Sequence, residues 1–293
     1  MARRVAIVGG GWAGLACAVE LADADIEVDV FEASRTLGGR ARAVQADGLT
    51  LDNGAHLLAG AYRETLRLIE KVGAGRTALR RLPLHLEFPG GFRLAAPGLP
   101  LPAPLRLACT LLTAQGLRGE DKLAALRFLR ALKKTHFRLP RDFPASRLIG
   151  NQPLVLRRYL WGPLCLAALN TPIREASAQI FLNVLRDTLA AGRGASDLLL
   201  PATDLTRLFP EPAARFIETR GGKVHRATRV RNLDMLADYD HRVLAVAPWH
   251  LPALAPQIGL PEFAWQPIAT IYLHYPEGVH LAFPLLGLDN GHG

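Results

Sequence analysis

Residues 5–14 of the chain are VAIVGGGWAG, a short apolar run followed by glycines at positions 9, 11 and 14. The apolar run predicts a buried β-strand, and the small and apolar residues after it predict a helix. In such a strand-to-helix turn Gly9 permits a tight bend, Gly11 lets the backbone approach a pyrophosphate, and Gly14 lets the helix pack closely on the strand. The free N–H groups at the helix start would face that anion. The pattern predicts a dinucleotide-binding turn; a glycine turn without a ligand is the alternative.

An acidic residue and a second glycine pair follow this turn. Glu32 comes directly after a predicted strand over residues 27–31, where a carboxylate can accept hydrogen bonds from ribose hydroxyls. Its charge disfavours a ribose 2′-phosphate, so NADP is not expected. The stretch Gly38-Gly39-Arg40 can hold the same pyrophosphate or frame a flavin. Its place after the acidic residue resembles that in the amine oxidase and phytoene desaturase flavoproteins, and this resemblance favours FAD over NAD. The alternative for this stretch is a helix-start turn with a solvated arginine.

The predicted secondary structure changes along the chain from strand–helix–strand to helices and then back to strands. Helices are predicted over residues 105–117, 122–133, 154–169 and 176–190, and later strands over residues 223–225, 229–232 and 242–247. This order predicts an α/β fold in which a Rossmann-like FAD-binding domain is interrupted by a more helical domain.

We therefore expect two interleaved domains. Residues 1–75 and 205–255 are predicted to form the discontinuous FAD-binding domain. Residues 76–204 and 256–293 are predicted to form a domain that faces the substrate and the membrane.

The composition excludes several classes of protein. With 293 residues, 49% hydrophobic and 21% charged, the chain has ample material for a core and is neither disordered nor collagen-like. A formal charge of +9 favours anionic partners, although it can also reflect a general preference for arginine. Aromatic residues are few and are not interleaved with basic ones, so nucleic acid is not an expected partner. The three cysteines lie far apart, which predicts neither a disulfide set nor a metal site.

Several longer stretches carry a family resemblance. They are LDNGAHLL at 51–58, WGPLCLAALNTP at 161–172, VLRD at 184–187, SDLLLP at 196–201 and LFPEP at 208–212. With the Gly-Gly-Arg element, they resemble the hydroxysqualene dehydroxylases, or squalene-associated FAD-dependent desaturases, of the amine oxidase and phytoene desaturase flavoproteins. The resemblance extends over nearly the whole chain, and the block at 161–172 is its most specific part. It implies FAD as cofactor and a fold of the glutathione-reductase/amine-oxidase type.

The resemblance also implies roles for single residues. The implied cofactor-binding residues are Gly9, Gly11, Gly14, Glu32, Gly39, Arg40, Gly54, His56 and Val230. Val230 matches a position whose backbone contacts the adenine; the alternative is an ordinary strand valine. Gly54 and His56 would lie near the isoalloxazine. His56 is the candidate catalytic residue, with a purely structural histidine as the alternative.

The implied reaction is the reductive loss of an allylic hydroxyl, which converts hydroxysqualene to squalene. A protein acid would protonate the leaving hydroxyl, but the sequence alone does not identify that acid. The alternatives are a carotenoid or phytoene-type desaturase, an amine oxidase-like flavoenzyme, and a truncated, non-catalytic FAD-binding protein. Members of the family continue well past the position of Gly293 and close the flavin site with that segment, so we expect the chain to be C-terminally truncated.

Residues 97–134 predict peripheral contact with a membrane. An apolar helix over 105–117 precedes a helix with Leu123, Leu126, Leu129 and Leu132 on one face and basic residues beside them. Such a pair can lie on an anionic bilayer, and a core-packing helix with a solvated basic face is the alternative. No signal peptide and no spanning apolar stretch is recognised. We expect a cytoplasmic protein, peripheral on the inner face of the cytoplasmic membrane.

Overall fold

The computed structural model describes residues 3–98, 101, 103–190, 192, 194–276, 278–279 and 285–288. Its strands are β1 (Arg4–Val8), β2 (Glu27–Phe31), β3 (Ala43–Ala46), β4 (Leu49–Asp52), β5 (Leu58–Ala59), β6 (Leu79–Leu82), β7 (His85–Phe88), β8 (Phe92–Ala95), β9 (Leu198–Pro201), β10 (Lys223–His225) and β11 (His241–Leu244). Its α-helices are α1 (Trp12–Asp23), α2 (Arg63–Lys71), α3 (Ala103–Leu112), α4 (Gly119–Lys134), α5 (Ala145–Leu148), α6 (Leu154–Leu156), α7 (Gly162–Leu169), α8 (Ala178–Leu185), α9 (Leu205–Leu208), α10 (Pro210–Glu218) and α11 (Leu251–Leu254). Short 3₁₀ turns cover Arg76–Ala78, Leu233–Leu236 and Pro248–His250, and π-helical turns cover Arg157–Trp161 and Arg186–Ala190.

The chain divides into two compact units, each built from separate stretches of sequence. The first unit contains Met1–Leu57, Arg63–Arg80 and Leu200–Trp265. The second contains Leu58–Tyr62, Arg81–Leu199 and Gln266–Gly293. Each unit is described separately below.

A four-stranded parallel sheet is the centre of the first unit. Its order is β10-β2-β1-β11, and Val5 lies opposite Val28 on one side and His241 on the other. The connection β1–α1–β2 is the predicted strand–helix–strand unit, and β10 and β11 extend its sheet. The α/β prediction is therefore confirmed.

The burial of β1 and α1 explains why this segment forms the core of the first unit. Ile7 is fully buried, as expected for a parallel strand covered on both faces. In α1, Leu15, Ala18 and Val19 are also fully buried, and they form one apolar stripe at helical spacing. The helix α10 packs on the same helix.

Asp29 is a buried carboxylate within this sheet. It is 3% exposed and accepts a hydrogen bond of 2.5 Å from the Tyr239 hydroxyl. Burial, together with this bond, raises the pKa of Tyr239 to about 12. The guanidinium of Arg4 lies 3.8 Å from the same carboxylate. The charge is thus offset within the unit rather than left unpaired.

The predicted strand over residues 229–232 is wrong. The chain there is irregular, and Asn232 instead caps the following 3₁₀ turn by accepting a hydrogen bond from the Met235 N–H at 3.2 Å. Just before it, the Thr228 N–H donates to the Glu32 carbonyl at 2.8 Å. These hydrogen bonds take the place of a strand ladder over residues 229–232.

The second unit is mainly helical and has its own core. Trp161, Phe181 and Leu182 are buried at its centre. The strands β7 and β8 form a hairpin in which Phe88 and Phe92 lie opposite each other, and both side chains belong to this core.

The helix predicted over residues 105–117 ends at Leu112. The chain then turns at Gly116, where φ is +76°, and Gln115 exchanges backbone hydrogen bonds with Arg93. This pairing draws the segment away from the helix axis. Across the described part of the chain, every helix is too short or too polar to span a lipid bilayer.

Candidate cofactor-binding site

Two glycines where β1 leads into α1, Gly9 in the connecting turn and Gly14 in the first turn of the helix, are required by close backbone contacts. Gly9 has a φ of +115°, and a Cβ there would lie 2.5 Å from the Ala245 carbonyl oxygen. A Cβ on Gly14 would lie 2.0 Å from the Gly9 carbonyl oxygen. No side chain fits at either position without a backbone shift. These glycines therefore set the shape of the turn.

Gly11 differs from both, because the space beside it is open. A Cβ at this position would meet only the Cα of Gly39, at 3.9 Å. Gly11 is also the N-cap of α1, with no side chain bonded to the helix end and no acidic residue in the first turn. The free N–H groups and the positive end of the helix dipole are thus accessible to an anion.

The Gly-Gly-Arg turn lies directly beside this open face. The Gly38 N–H donates to the Gly10 carbonyl at 2.8 Å, and Gly38 forms an isolated parallel bridge with Gly11. The indole N–H of Trp12 donates to the Ala41 carbonyl at 2.8 Å, which fixes the far end of the turn. The structure therefore brings the two glycine motifs together, as the sequence predicts.

Glu32 connects the first glycine turn to the loop after β2. Its carboxylate accepts hydrogen bonds from the Gly10 N–H at 2.8 Å and from the Ser34 N–H at 2.7 Å. A carboxylate has about four acceptor positions, so lone pairs remain for further donors. Glu32 is thus held by the backbone in one orientation with acceptor capacity to spare.

Val230 ends a short segment, residues 227–230, that lies beside the loop after β2. Its side chain is 7% exposed and belongs to the core cluster with Ala6 and Val8. Earlier in this segment, the Ala227 N–H donates to the Ser34 carbonyl at 3.0 Å. Because its side chain is buried, Val230 can contact a ligand chiefly through its backbone.

Arg40 takes part in this region through its main chain. Its carbonyl accepts a hydrogen bond from the Asn53 side-chain amide at 3.0 Å, while its side chain is exposed. The neighbouring guanidinium of Arg42 donates to the Ser34 hydroxyl at 3.1 Å. The Gly-Gly-Arg turn is thus linked both to the loop after β2 and to the chain that follows β4.

The predicted flavin-contacting stretch begins at the end of β4. Gly54 has a φ of +91°, and its N–H donates to the Asp52 carbonyl at 2.7 Å. The Nδ1 of His56 lies 2.8 Å from the Gly54 carbonyl, and the ring is exposed. This contact orients the ring and leaves Nε2 available.

Asp52, in the same stretch, is a candidate that sequence reasoning missed. Its half-buried carboxylate accepts a hydrogen bond of 2.8 Å from the Leu205 N–H. Burial raises the pKa of this carboxyl, the Leu205 N–H opposes the rise, and the nearby charge of Asp204 adds to it. A carboxyl that holds its proton more tightly than usual is suited to act as a general acid. The sequence signal that could have identified Asp52 as a candidate is its position two residues before Gly54, within the predicted flavin-contacting stretch.

No cluster of three or more His, Cys, Asp or Glu side chains with the spacing of metal ligands is found among the residues that the structure describes. The polar groups at the glycine turns and at the end of β4 are instead backbone N–H donors and the carboxylates of Glu32 and Asp52.

The sequence resembles known families over most of its length. Residues 12–285 match the sequence model described as "Flavin containing amine oxidoreductase". A hydroxysqualene dehydroxylase of Sinorhizobium fredii is 29% identical over 99% of this chain and 72% of its own length. A probable zeta-carotene desaturase of Synechococcus elongatus is 30% identical over 79% of this chain and 51% of its own.

Solved structures match in fold as well. A Pyrococcus furiosus protein superposes with a TM-score of 0.59 at 18% identity, covering 87% of this chain and 62% of that one. The chain thus spans about three quarters of the length of the Sinorhizobium fredii protein and about three fifths of the Pyrococcus furiosus protein. It spans about half of the length of the desaturase.

Proposed function

The chain belongs to the flavin-containing amine oxidoreductase family, and we propose that it is an FAD-dependent oxidoreductase that modifies isoprenoids. The sequence model of the family matches residues 12–285. Hydroxysqualene dehydroxylases of three bacteria match the chain at 26–29% identity over 87–99% of its length. The specific reaction proposed is the reductive dehydroxylation of hydroxysqualene to squalene.

The residues of the first unit fit the ADP part of FAD. The open face at Gly11 leaves room for a pyrophosphate beside the N–H groups of α1. Gly39 and Arg40 would border the same group, and Glu32 would accept hydrogen bonds from the ribose. The backbone at Val230 would meet the adenine. The meeting of two glycine turns around this open face is the observation that carries the proposal.

Replacing Glu32 tests the ribose contact. For Glu32→Ala we expect FAD affinity to fall about 10- to 100-fold, because hydrogen bonds to a charged acceptor are lost and the Gly10 and Ser34 N–H groups lose their partner. The measurement is a titration of FAD into apoprotein. Glu27→Ala is the matched control, since Glu27 begins the same strand and forms a half-exposed ion pair with Arg4. Equal affinities for both variants would contradict the assigned role.

The proposed reaction removes a hydroxyl from an allylic carbon. A proton is added to the hydroxyl oxygen, the C–O bond breaks with its electron pair leaving on oxygen, and water departs. FAD, when bound in its reduced form, supplies the hydride that takes the place of the hydroxyl on carbon. The protein must supply the proton, orient the substrate and exclude bulk water.

Asp52 is the proposed source of that proton. It lies in the stretch 51–58 that the family places near the flavin, and its raised pKa keeps more of the carboxyl protonated at a given pH. His56, four residues later, would relay or share the proton through Nε2, since Nδ1 faces the Gly54 carbonyl. The Leu205 N–H holds the Asp52 side chain in place.

Absorption spectroscopy and product analysis test the proposed function. Protein purified or reconstituted with FAD is expected to have flavin absorption bands. With a reductant and hydroxysqualene, it should yield squalene as identified by mass spectrometry. A protein that takes up no flavin would instead be the non-catalytic alternative.

A desaturase activity is the second candidate, favoured by the match to zeta-carotene desaturases. It uses the same cofactor site in the oxidative direction. Incubation of the oxidised protein with a carotene precursor would then give a product lighter by two hydrogens. Squalene from hydroxysqualene, without such a product, would favour dehydroxylation.

The proposed substrate partitions into lipid, so the proposal includes peripheral association with the inner face of the cytoplasmic membrane through residues 97–134. Residues 99, 100 and 102 of this range lie outside the described part of the chain. The predicted leucine face of α4 needs correction, however. Leu126, Leu129 and Leu132 pack on the core of the second unit, and only Leu123 is exposed.

A further inference from the structure

We propose that the second unit docks on anionic lipid bilayers through one surface formed by α3 and α4. This α3–α4 surface consists of Leu105, Leu112, Leu123, Arg127, Arg130 and Lys134. The inference rests on the proposed function for the lipid-soluble substrate, and it deepens the membrane association proposed there by naming the lipid charge and the side chains that contact it.

The positive charge of the chain belongs almost entirely to the second unit. The first unit carries 18 basic and 17 acidic side chains, whereas the second carries 17 basic and 9 acidic ones. The second unit alone therefore has a field that attracts anionic surfaces. The two units hold nearly the same number of basic side chains, so the difference in charge comes from the smaller number of acidic side chains in the second unit.

Within the second unit, α4 presents a basic stripe that is not used in packing. Leu123, Arg127, Arg130 and Lys134 follow one another at intervals of four, three and four residues, which places them on one helix face. All four are exposed. None of the three basic groups forms a hydrogen bond or ion pair with a described residue. Ala125, on the opposite side, is fully buried.

The helix α3, which packs on α4, also exposes apolar side chains. Leu105 and Leu112 are 57% and 59% exposed and lie seven residues apart on one face. The ammonium of Lys122 donates to the Leu112 carbonyl at 2.6 Å. This bond ties the end of α3 to the turn of α4 that carries Leu123, which is 46% exposed.

A bilayer is the partner that fits both kinds of side chain. Leucines enter the boundary between headgroups and acyl chains while arginine and lysine reach the lipid phosphates. Nucleic acid would leave the leucines in water, and the surface has no aromatic residue for base stacking. The one acidic group exposed at the start of α4, Glu120, lies 3.7 Å from Arg118 and is therefore partly neutralised.

Vesicle co-sedimentation tests the proposal. Wild-type protein is mixed with vesicles of phosphatidylcholine alone or of phosphatidylcholine with phosphatidylglycerol. A triple variant carries Arg127→Gln, Arg130→Gln and Lys134→Gln. Its matched control carries Arg138→Gln, Arg141→Gln and Arg174→Gln, which remove the same charge from exposed positions of the same unit.

We expect wild type and control to bind the anionic vesicles, and the α4 variant to bind them on the order of 100-fold more weakly. Equal weakening of both variants would overturn the proposal, since diffuse charge would then explain binding. Binding that is independent of phosphatidylglycerol, or no binding by wild type, would overturn it too. Because sedimentation requires no turnover, a protein that binds vesicles but forms no squalene from detergent-dispersed substrate would contradict the proposed function alone.

Discussion

Gly11→Val is expected to abolish FAD binding in a protein that still folds. The backbone of Gly11 is extended, with φ of −75° and ψ of 175°, and other residue types adopt this conformation readily. A side chain there would meet only the Cα of Gly39 at 3.9 Å. The valine methyl groups would instead fill the space in which the backbone must approach a pyrophosphate.

Flavin content and thermal unfolding separate the two effects. We expect the Gly11→Val protein to contain no detectable flavin, with an apparent Kd at least about 100-fold weaker, while the apoprotein keeps the melting temperature of wild-type apoprotein. Gly14→Val is the contrasting variant, because its Cβ would lie 2.0 Å from the Gly9 carbonyl oxygen. That variant should lose about 3 kcal/mol or more of stability. Normal flavin content in Gly11→Val would contradict the assigned site.

Asp52→Asn is expected to lower turnover by about 100- to 10,000-fold with little loss of flavin, as expected when a general acid is removed. Asparagine keeps an oxygen that can accept from the Leu205 N–H, so the local structure is preserved. In the wild type, activity should decline as pH rises through the raised pKa of Asp52, because the donor is then ionised. The residual activity of the variant should lack that decline with pH. If Asp52 had only a structural role, the decline would remain in the variant.

Asp204→Asn is the matched control for Asp52. Asp204 caps α9 by accepting from the Arg207 N–H at 3.0 Å, and asparagine preserves this cap. Since the Asp204 charge contributes to the raised pKa of Asp52, its removal should move the decline in activity to lower pH and leave turnover near normal. If Asp52→Asn retains turnover within about threefold, Asp52 is not the donor.

The central strand–helix–strand unit could be predicted because its determinants are local. The apolar run at residues 5–8 and the contact of Gly14 with the Gly9 carbonyl lie within one short segment, although Gly9 also faces the carbonyl of the distant residue Ala245. The meeting of this turn with Gly38 follows from the parallel pairing of β1 and β2, because the segments after both strands then start at the same edge of the sheet. The glycines can be recognised in the sequence because only a residue without a Cβ fits the close backbone contacts at Gly9 and Gly14.

The β3–β4 hairpin was missed although its signal is present. Asp47 and Gly48 have φ values of +50° and +75°, which is the geometry of the tight hairpin turn that Asp-Gly favours. The helices α9 and α10 were missed as well. Both helices have start signals, which are the Asp204 cap before α9 and a proline at the start of α10. These signals are easy to overlook because the helices are short and only partly apolar.

The role of Asp52 and the packing of α4 depend on distant parts of the chain. The Leu205 N–H reaches Asp52 from 153 residues away, and no local pattern specifies that contact. The leucines of α4 follow a helical period whether they face a core or a bilayer. Only the packing of the second unit decides that Leu132 is buried and Leu123 is exposed.

A single anaerobic turnover would show whether flavin bound to this protein reduces hydroxysqualene. Protein carrying reduced FAD is mixed with hydroxysqualene in the absence of oxygen, and flavin absorbance and products are followed together. We expect the flavin to be reoxidised, with one squalene formed for each flavin reoxidised. Flavin that stays reduced while hydroxysqualene is recovered unchanged would contradict the proposed reaction.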